Sequence, residues 1–198
     1  MAQQTVTGLI LAGGRGARMG GIDKGLQLFR GKPLVAHVVE RLAPQVEALL
    51  ISANRNADAY AHFGWPVIGD LTAGFAGPLG GIQAGLAAVQ TPFLVTAPCD
   101  SPHLPVDLVE RLIAALEAGT DMLAVPSAGA RRHPAFMLCR RDARDSLDRY
   151  LAEGGRKVQD WCALAGTVDV AFDDQPDAFA NINTLEELDA LTKGWPAP

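Results

Sequence analysis

Short apolar runs alternate with helix-patterned stretches along most of this chain. Val6–Leu11 is apolar, partly β-branched, and predicts a strand. Pro33–Leu42 predicts a helix, with Leu34, Val35, Val38, Val39 and Leu42 on one face. "ALLIS" (48–52) predicts a second strand and Val67–Ile68 a short third. Pro78–Val89 reads as an alanine-rich helix with proline near its start. "FLVTA" (93–97) has the continuous apolar character of a strand buried on both faces. Val106–Ala118 predicts a helix, with Val109, Leu112, Ile113 and Leu116 at helical spacing and Gly119 as its stop. "MLAVP" (122–126) and "PAFMLC" (134–139) predict strands, Asp142–Glu153 a helix and Val168–Phe172 a strand. "TLEELDAL", starting at Thr184, predicts a last helix with Thr184 and Glu187 placed as a capping box.

This alternation predicts an α/β fold. The expectation is a single Rossmann-like domain with a mainly parallel central sheet and helices on both faces. A chain of 198 residues, 48% hydrophobic, suits one such domain. Ligands of open α/β sheets sit beyond the carboxyl ends of the strands. That rule selects the loops after Leu11, Ser52, Ile68 and Ala97, which carry Gly13–Lys24, Asn54–Arg55, Asp70 and Asp100.

Charge sharpens the choice among these loops. The whole chain has a net charge of −5, which argues against a nucleic-acid partner. Between Arg15 and Lys32, however, five cations (Arg15, Arg18, Lys24, Arg30, Lys32) face one acid, Asp23, a local net charge of +4. A basic loop on an acidic protein points to a small anionic ligand. The three cysteines form no C-x-x-C pair, so neither a zinc site nor a disulfide framework is expected. The first residues do not read as a secretory leader, and no apolar run approaches the ~18 residues of a membrane span. No membrane association and a cytoplasmic location are therefore expected.

The basic loop reads "LAGGRGARMGGIDKG" from Leu11, with six glycines and three cations. Glycine lets backbone approach a ligand closely, and arginine and lysine supply fixed charge, which together suit phosphates. It is not a P-loop, because Ile22 and Asp23 follow Gly21 where lysine and serine or threonine are needed. Nor is it a dinucleotide fingerprint, since Met19 occupies the third glycine position after Gly14 and Gly16.

"LAGGRGARMGGIDKGL" resembles the L-A-[AG]-G-x-x-x-R-M-G-x-x-K signature of nucleotidyltransferases that join a nucleoside monophosphate to an acceptor phosphate. More narrowly, the chain is similar to the molybdenum cofactor guanylyltransferases. The resemblance continues through "GKPL" (31–34), "ANR" (53–55), "GPLGGI" (77–82), "PCDSPHLP" (98–105), "HP" (133–134) and "NINTLEEL" (181–188). A cytidylyl branch acting on the same cofactor reads "LAAG" and "GDQP" at these places, and a non-catalytic nucleotide-binding regulator is the alternative from another class. One position departs from the guanylyl pattern: Ser52 stands where that branch often has asparagine.

The resemblance implies transfer of GMP from GTP to the terminal phosphate of the molybdopterin cofactor, with release of pyrophosphate. Arg18 and Lys24 are the expected catalytic cations. Leu11, Ala12, Gly13, Lys24, Ser52, Asp70 and Asp100 are the expected nucleotide contacts. Asp100, directly after a buried strand, is the expected Mg²⁺ ligand, because magnesium takes oxygen donors. Arg156, Lys157, Asn181 and Asn183 are the expected acceptor contacts. The nucleotide half would span about 1–105 and the acceptor half about 106–193. Cofactor-delivery and molybdoenzyme-maturation proteins are implied partners.

Overall fold

The order of elements follows from where apolar residues recur at strand or helix spacing. The structure, a computed structural model, describes residues 5–12, 23–72 and 77–182. Along the chain run β1 (Val6–Leu11), β2 (Leu28–Phe29), β3 (Lys32–Pro33), α1 (Leu34–Leu42), β4 (Ala48–Ser52) and α2 (Ala57–Ala61). Then come β5 (Val67–Ile68), α3 (Pro78–Ala88), β6 (Phe93–Pro98), α4 (Leu108–Glu117), β7 (Leu123–Ala128) and β8 (Arg131–Arg132). β9 (Leu138–Arg140), α5 (Arg144–Ala152), α6 (Val158–Ala165) and β10 (Thr167–Ala171) complete the described elements.

The main sheet has the order β10-β7-β9-β6-β1-β4-β5, with β8 paired to β7. β1 lies parallel to both β4 and β6, β4 is parallel to β5, and β7 is parallel to β10. β9 runs against its neighbours β6 and β7 in the middle of the sheet, and the short β8 runs against β7; the other pairings are parallel, so the sheet is mainly parallel, as the sequence predicts. Successive side chains of a strand point to opposite faces, and the central strands use both. Val6 and Ile10 of β1, with Val95 and Ala97 of β6, pack with Val35, Val38 and Leu42 of α1 and Leu108, Leu112 and Leu116 of α4. Leu9 and Leu94 point the other way, into Leu79, Ile82 and Leu86 of α3, Leu147 of α5 and Trp161 of α6.

Besides short elements that the pattern does not show (β2, β3, α2 and β8), two segments differ from the pattern reading. The run 134–139, read as one strand, is a 3-10 turn over Pro134–Phe136 followed by β9 from Leu138. Proline lacks the N–H that a central strand needs, and it suits the first turn of a helix. The second difference is α6, an unanticipated helix whose Val158, Trp161, Cys162 and Ala165 recur at helical spacing and bury Trp161 completely. The helix expected from Thr184 lies outside the described residues. Among the described residues, no helix is long and apolar enough to cross a membrane.

Leu9 is fully buried at the centre of the sheet, whereas Leu28 is 63% exposed in the β2–β3 hairpin. Leu9→Ala is therefore expected to cost about 2–5 kcal/mol of unfolding free energy. Leu28→Ala is expected to stay within about 0.5 kcal/mol of wild type. Denaturant unfolding of both variants checks this, and equal losses would contradict the assignment of the core.

Candidate active site at the carboxyl edge of the sheet

Parallel pairing brings four strand ends into one line. Leu11 is in register with both Ser52 and Pro98, and Ser52 with Ile68. Backbone bonds continue just past these ends and hold the loop mouths together. Ala12 N donates to Ser52 O at 2.8 Å, Cys99 N to Leu11 O at 3.1 Å and Ala53 N to Ile68 O at 2.9 Å. The Ala12 amide and the Leu11 carbonyl, two backbone groups at the entry to the glycine loop, are thus engaged in the ladder.

Lys24 and Asp100 meet at this edge. Lys24 opens a 3-10 turn (Lys24–Leu26), and its Nζ lies 3.4 Å from Asp100 Oδ2. Charge-assisted hydrogen bonds between such groups are usually ~2.7–2.9 Å long, so the pair is loose. Asp100 is only 9% exposed. Burial lifts its carboxyl above the usual range, more strongly than the Lys24 ammonium and the hydrogen bonds pull it down. A carboxylate kept ionised there is under-compensated, which is the condition that favours an added cation. Neighbouring Cys99 is buried, and desolvation, then the charges of Asp100 and Asp23, push its thiol up, so it is a poor nucleophile.

α3 closes one side of the edge. A Cβ placed on Gly81 would come within 2.5 Å of Ser52 Oγ and 3.0 Å of Leu11 Cδ2. Ser52 is 2% exposed and lies packed beneath α3. A Cβ on Gly80 would fall 2.7 Å from Asp70 Oδ2, so the Asp70 carboxylate rests against the first turn of the same helix. The positive end of the helix dipole favours an anion there. Asn54 Oδ1 accepts from the Asp70 amide at 2.8 Å and ties the loops after β4 and β5 together.

The second half of the chain reaches the same edge through Asn181. Ser101 Oγ donates to Asn181 Oδ1 at 2.8 Å, and Ile182 N donates to Asp100 O at 2.9 Å. Asn181 is thereby placed beside Asp100, 81 positions away in sequence. Arg156 and Lys157 are exposed on the turn between α5 and α6. Arg156 Nη1 donates there to Leu151 O at 3.0 Å and Gly155 O at 2.6 Å. Gly13, Arg18 and Asn183 lie outside the described residues. So Lys24, Asp100 and Asn181 are brought together, Ser52 and Asp70 lie against α3, and Arg156 and Lys157 sit on the α5–α6 turn.

Sequence reasoning passed over Ser101, which joins the two halves, and over the partners of Asp23. The signal for the latter was visible: a single acid inside a basic loop needs a reason. Among the described residues, no group of three or more His, Cys, Asp or Glu side chains could hold a metal ion by itself.

A family model described as "MobA-like NTP transferase domain" matches residues 8–167, which takes in both Lys24 and Asp100. The chain belongs to the MobA-like NTP transferase family. Among curated members, the molybdenum cofactor guanylyltransferase of Ralstonia pickettii is 53% identical over 197 residues, covering 95% of this chain and 96% of that protein. The molybdenum cofactor guanylyltransferase of Cupriavidus taiwanensis is 54% identical over 195 residues, covering 96% and 98%. A crystal structure of molybdopterin-guanine dinucleotide biosynthesis protein A from Archaeoglobus fulgidus shares the fold, with a TM-score of 0.79 at 24% identity over 94% of this chain and 97% of that one. The single α/β domain with a mainly parallel sheet is therefore the architecture of this family.

The raised pKa of Asp100 has a stability consequence with a definite sign. A carboxyl whose folded pKa lies above its unfolded value binds more protons when folded, so its contribution is fully present below the unfolded pKa and lost as pH rises through the folded one. Asp100→Asn removes that loss. In metal-free buffer the variant is expected to melt above wild type at pH 7, with the gap closing as pH falls toward ~4, the unfolded aspartate value. Thermal melts across this range test it; a variant less stable than wild type at pH 7 would make the carboxylate a structural support.

Proposed function

We propose that this protein transfers GMP from GTP to the terminal phosphate of the molybdenum–molybdopterin cofactor, forming molybdopterin guanine dinucleotide and pyrophosphate. The observation that carries this reading is the 53–54% identity, over about 95% of the chain, to relatives named for that activity. The site geometry is of the kind such a reaction needs. The acceptor phosphate is already anionic near neutral pH, so no serine, cysteine or histidine has to be activated. The protein's tasks are to hold two anions together and to neutralise charge that builds on the α-phosphate and the leaving pyrophosphate.

Lys24 supplies a compact positive charge for the phosphates, and Arg18 a forked one. The loop mouth at Leu11, Ala12 and Gly13, with Ser52 and Asp70 against α3, forms the nucleotide half, spanning about residues 1–105. Asp100 is a fitting single ligand for Mg²⁺: magnesium is commonly held by one or two carboxylates with substrate phosphates and waters completing its shell. The lone, buried and loosely paired Asp100 carboxylate matches that donor set. When bound, the ion would screen the phosphates and stabilise the developing negative charge. Asn181, held by Ser101, presents its amide to the acceptor beside Asp100. Asn183 and the Arg156–Lys157 turn complete the acceptor half, about residues 106–193. GTP and the molybdopterin cofactor are the substrates, the product is passed to delivery and maturation proteins, and the enzyme works in the cytoplasm.

GTP is expected to give a higher kcat/KM than CTP with molybdopterin-loaded acceptor. Equal values, or a preference for CTP, would move the chain to a cytidylyl activity. Lys24→Ala is expected to lower kcat by roughly 10²–10³ while the variant stays folded, the usual cost of one transition-state donor. Near-wild-type turnover in that variant would make Lys24 a surface charge.

A further inference from the structure

Asp23 is the one acid in the basic stretch from Arg15 to Lys32, and both of its carboxylate oxygens are engaged by the segment that starts α2. The Tyr60 hydroxyl donates to Oδ1 at 2.5 Å, and Asn56 Nδ2 donates to Oδ2 at 2.9 Å. Tyr60 is fully buried, and its hydroxyl is pushed up first by burial, so it remains a protonated donor. Asn56 sits at φ 54° in the left-handed region, where asparagine and aspartate are the best tolerated side chains. On the other side of Lys24, Gly25 has no room for a side chain. A Cβ there would lie 2.5 Å from the Tyr60 hydroxyl and 3.0 Å from Cys99 Sγ. The Asp23 carbonyl also accepts from Gln27 Nε2 at 3.2 Å and from the Leu26 amide at 3.3 Å.

Lys24 is therefore bracketed. The residue before it is bonded to Tyr60 and Asn56, and the residue after it is wedged between Tyr60 and Cys99. Lysine brings a long, flexible stem with about 2 kcal/mol of rotamer entropy. Fixing its backbone on both sides limits where its ammonium can go, and misplacement of a catalytic group by about 1 Å can cost ~10²-fold in rate.

We propose that Asp23, Asn56 and Tyr60 are positioning residues for Lys24: they clamp the end of the glycine loop to α2 so that the ammonium meets the phosphates beside Asp100. The clamp rests on the reading of Lys24 as a phosphate-facing cation. It also explains why an acid is present in a loop otherwise suited to anions. Two donors converge on it, and a carboxylate offers two acceptor oxygens and no donor. With both oxygens directed to Tyr60 and Asn56, the acid serves the loop's geometry.

An exchange of partners tests this. Asp23→Asn leaves one acceptor oxygen for two donors, so Tyr60 and Asn56 can no longer both donate to this side chain, and Asn56→Asp alone sets two carboxylates against each other. Each single variant is expected to lower kcat by roughly 10–10², with the KM for GTP changed far less. The double variant Asp23→Asn/Asn56→Asp restores a donor opposite an acceptor and is expected to recover kcat to within a few-fold of wild type. Tyr60→Phe keeps the buried ring and is expected to lower kcat less than either single change. Melting curves and Mg²⁺ titrations accompany each rate. A double variant as inactive as Asp23→Asn would overturn the proposal, since it would mean that Asp23 itself touches substrate or metal. Lowered melting temperatures with wild-type kcat at 25 °C would also overturn it, leaving the clamp a purely structural device. Lys24→Ala in the same assay separates the two readings. Wild-type turnover there defeats both, whereas a crippled Lys24→Ala beside a normal Asp23→Asn defeats the clamp alone.

Discussion

A buried carboxylate at the end of the central β6 strand faces a lysine across 3.4 Å, and the surrounding site is organised around that contact. The two charges come from opposite directions. Asp100 arrives on β6, the strand next to β1. Lys24 arrives at the far end of the glycine loop that leaves β1. Neither charge fully compensates the other: burial dominates the titration of Asp100 even with Lys24 nearby. Loose pairing of this kind suits the proposed roles of Lys24 toward phosphate and Asp100 toward a cation, because a tighter pair would have to be broken before either could bind.

The sheet makes this arrangement possible. Parallel strands in register end together, so loops separated by some ninety residues emerge side by side. Glycines in α3 then let that helix sit directly on Ser52 and against Asp70. The chain beyond β10 returns to the same edge, where Ile182 bonds the Asp100 carbonyl and Asn181 meets Ser101. Among the described residues, Lys24, Asp100 and Asn181 thus lie at one edge of the sheet.

Much of this was legible in the sequence, for physical reasons that differ by element. β1, β4, β6, α1 and α4 announce themselves because their apolar positions repeat at the strand or helix period and fall on buried faces. The rule that ligands sit beyond strand ends selected the loops carrying Lys24, Asp70 and Asp100, whereas the contact between Lys24 and Asp100 is visible only in the structure. α6 was missed although its apolar spacing is regular, because eight residues between charged segments give a weak signal. The strand read across 134–139 failed at Pro134, where a missing N–H should have counted against it. α2 has only five residues, too short for any period to show, and with it went Tyr60 and Asn56. Arg156 and Lys157 stand out in the sequence by charge alone, and the structure shows them exposed on the turn between α5 and α6.

The most direct measurement is a crystal structure with Mg²⁺ and a GTP analogue whose bond between the α- and β-phosphorus cannot be cleaved. Lys24 Nζ is expected to leave Asp100 for a phosphate oxygen, with an Asp100 oxygen about 2.0–2.1 Å from the metal. A nucleotide bound away from the ends of β1 and β6, with the Lys24–Asp100 contact intact, would contradict the account.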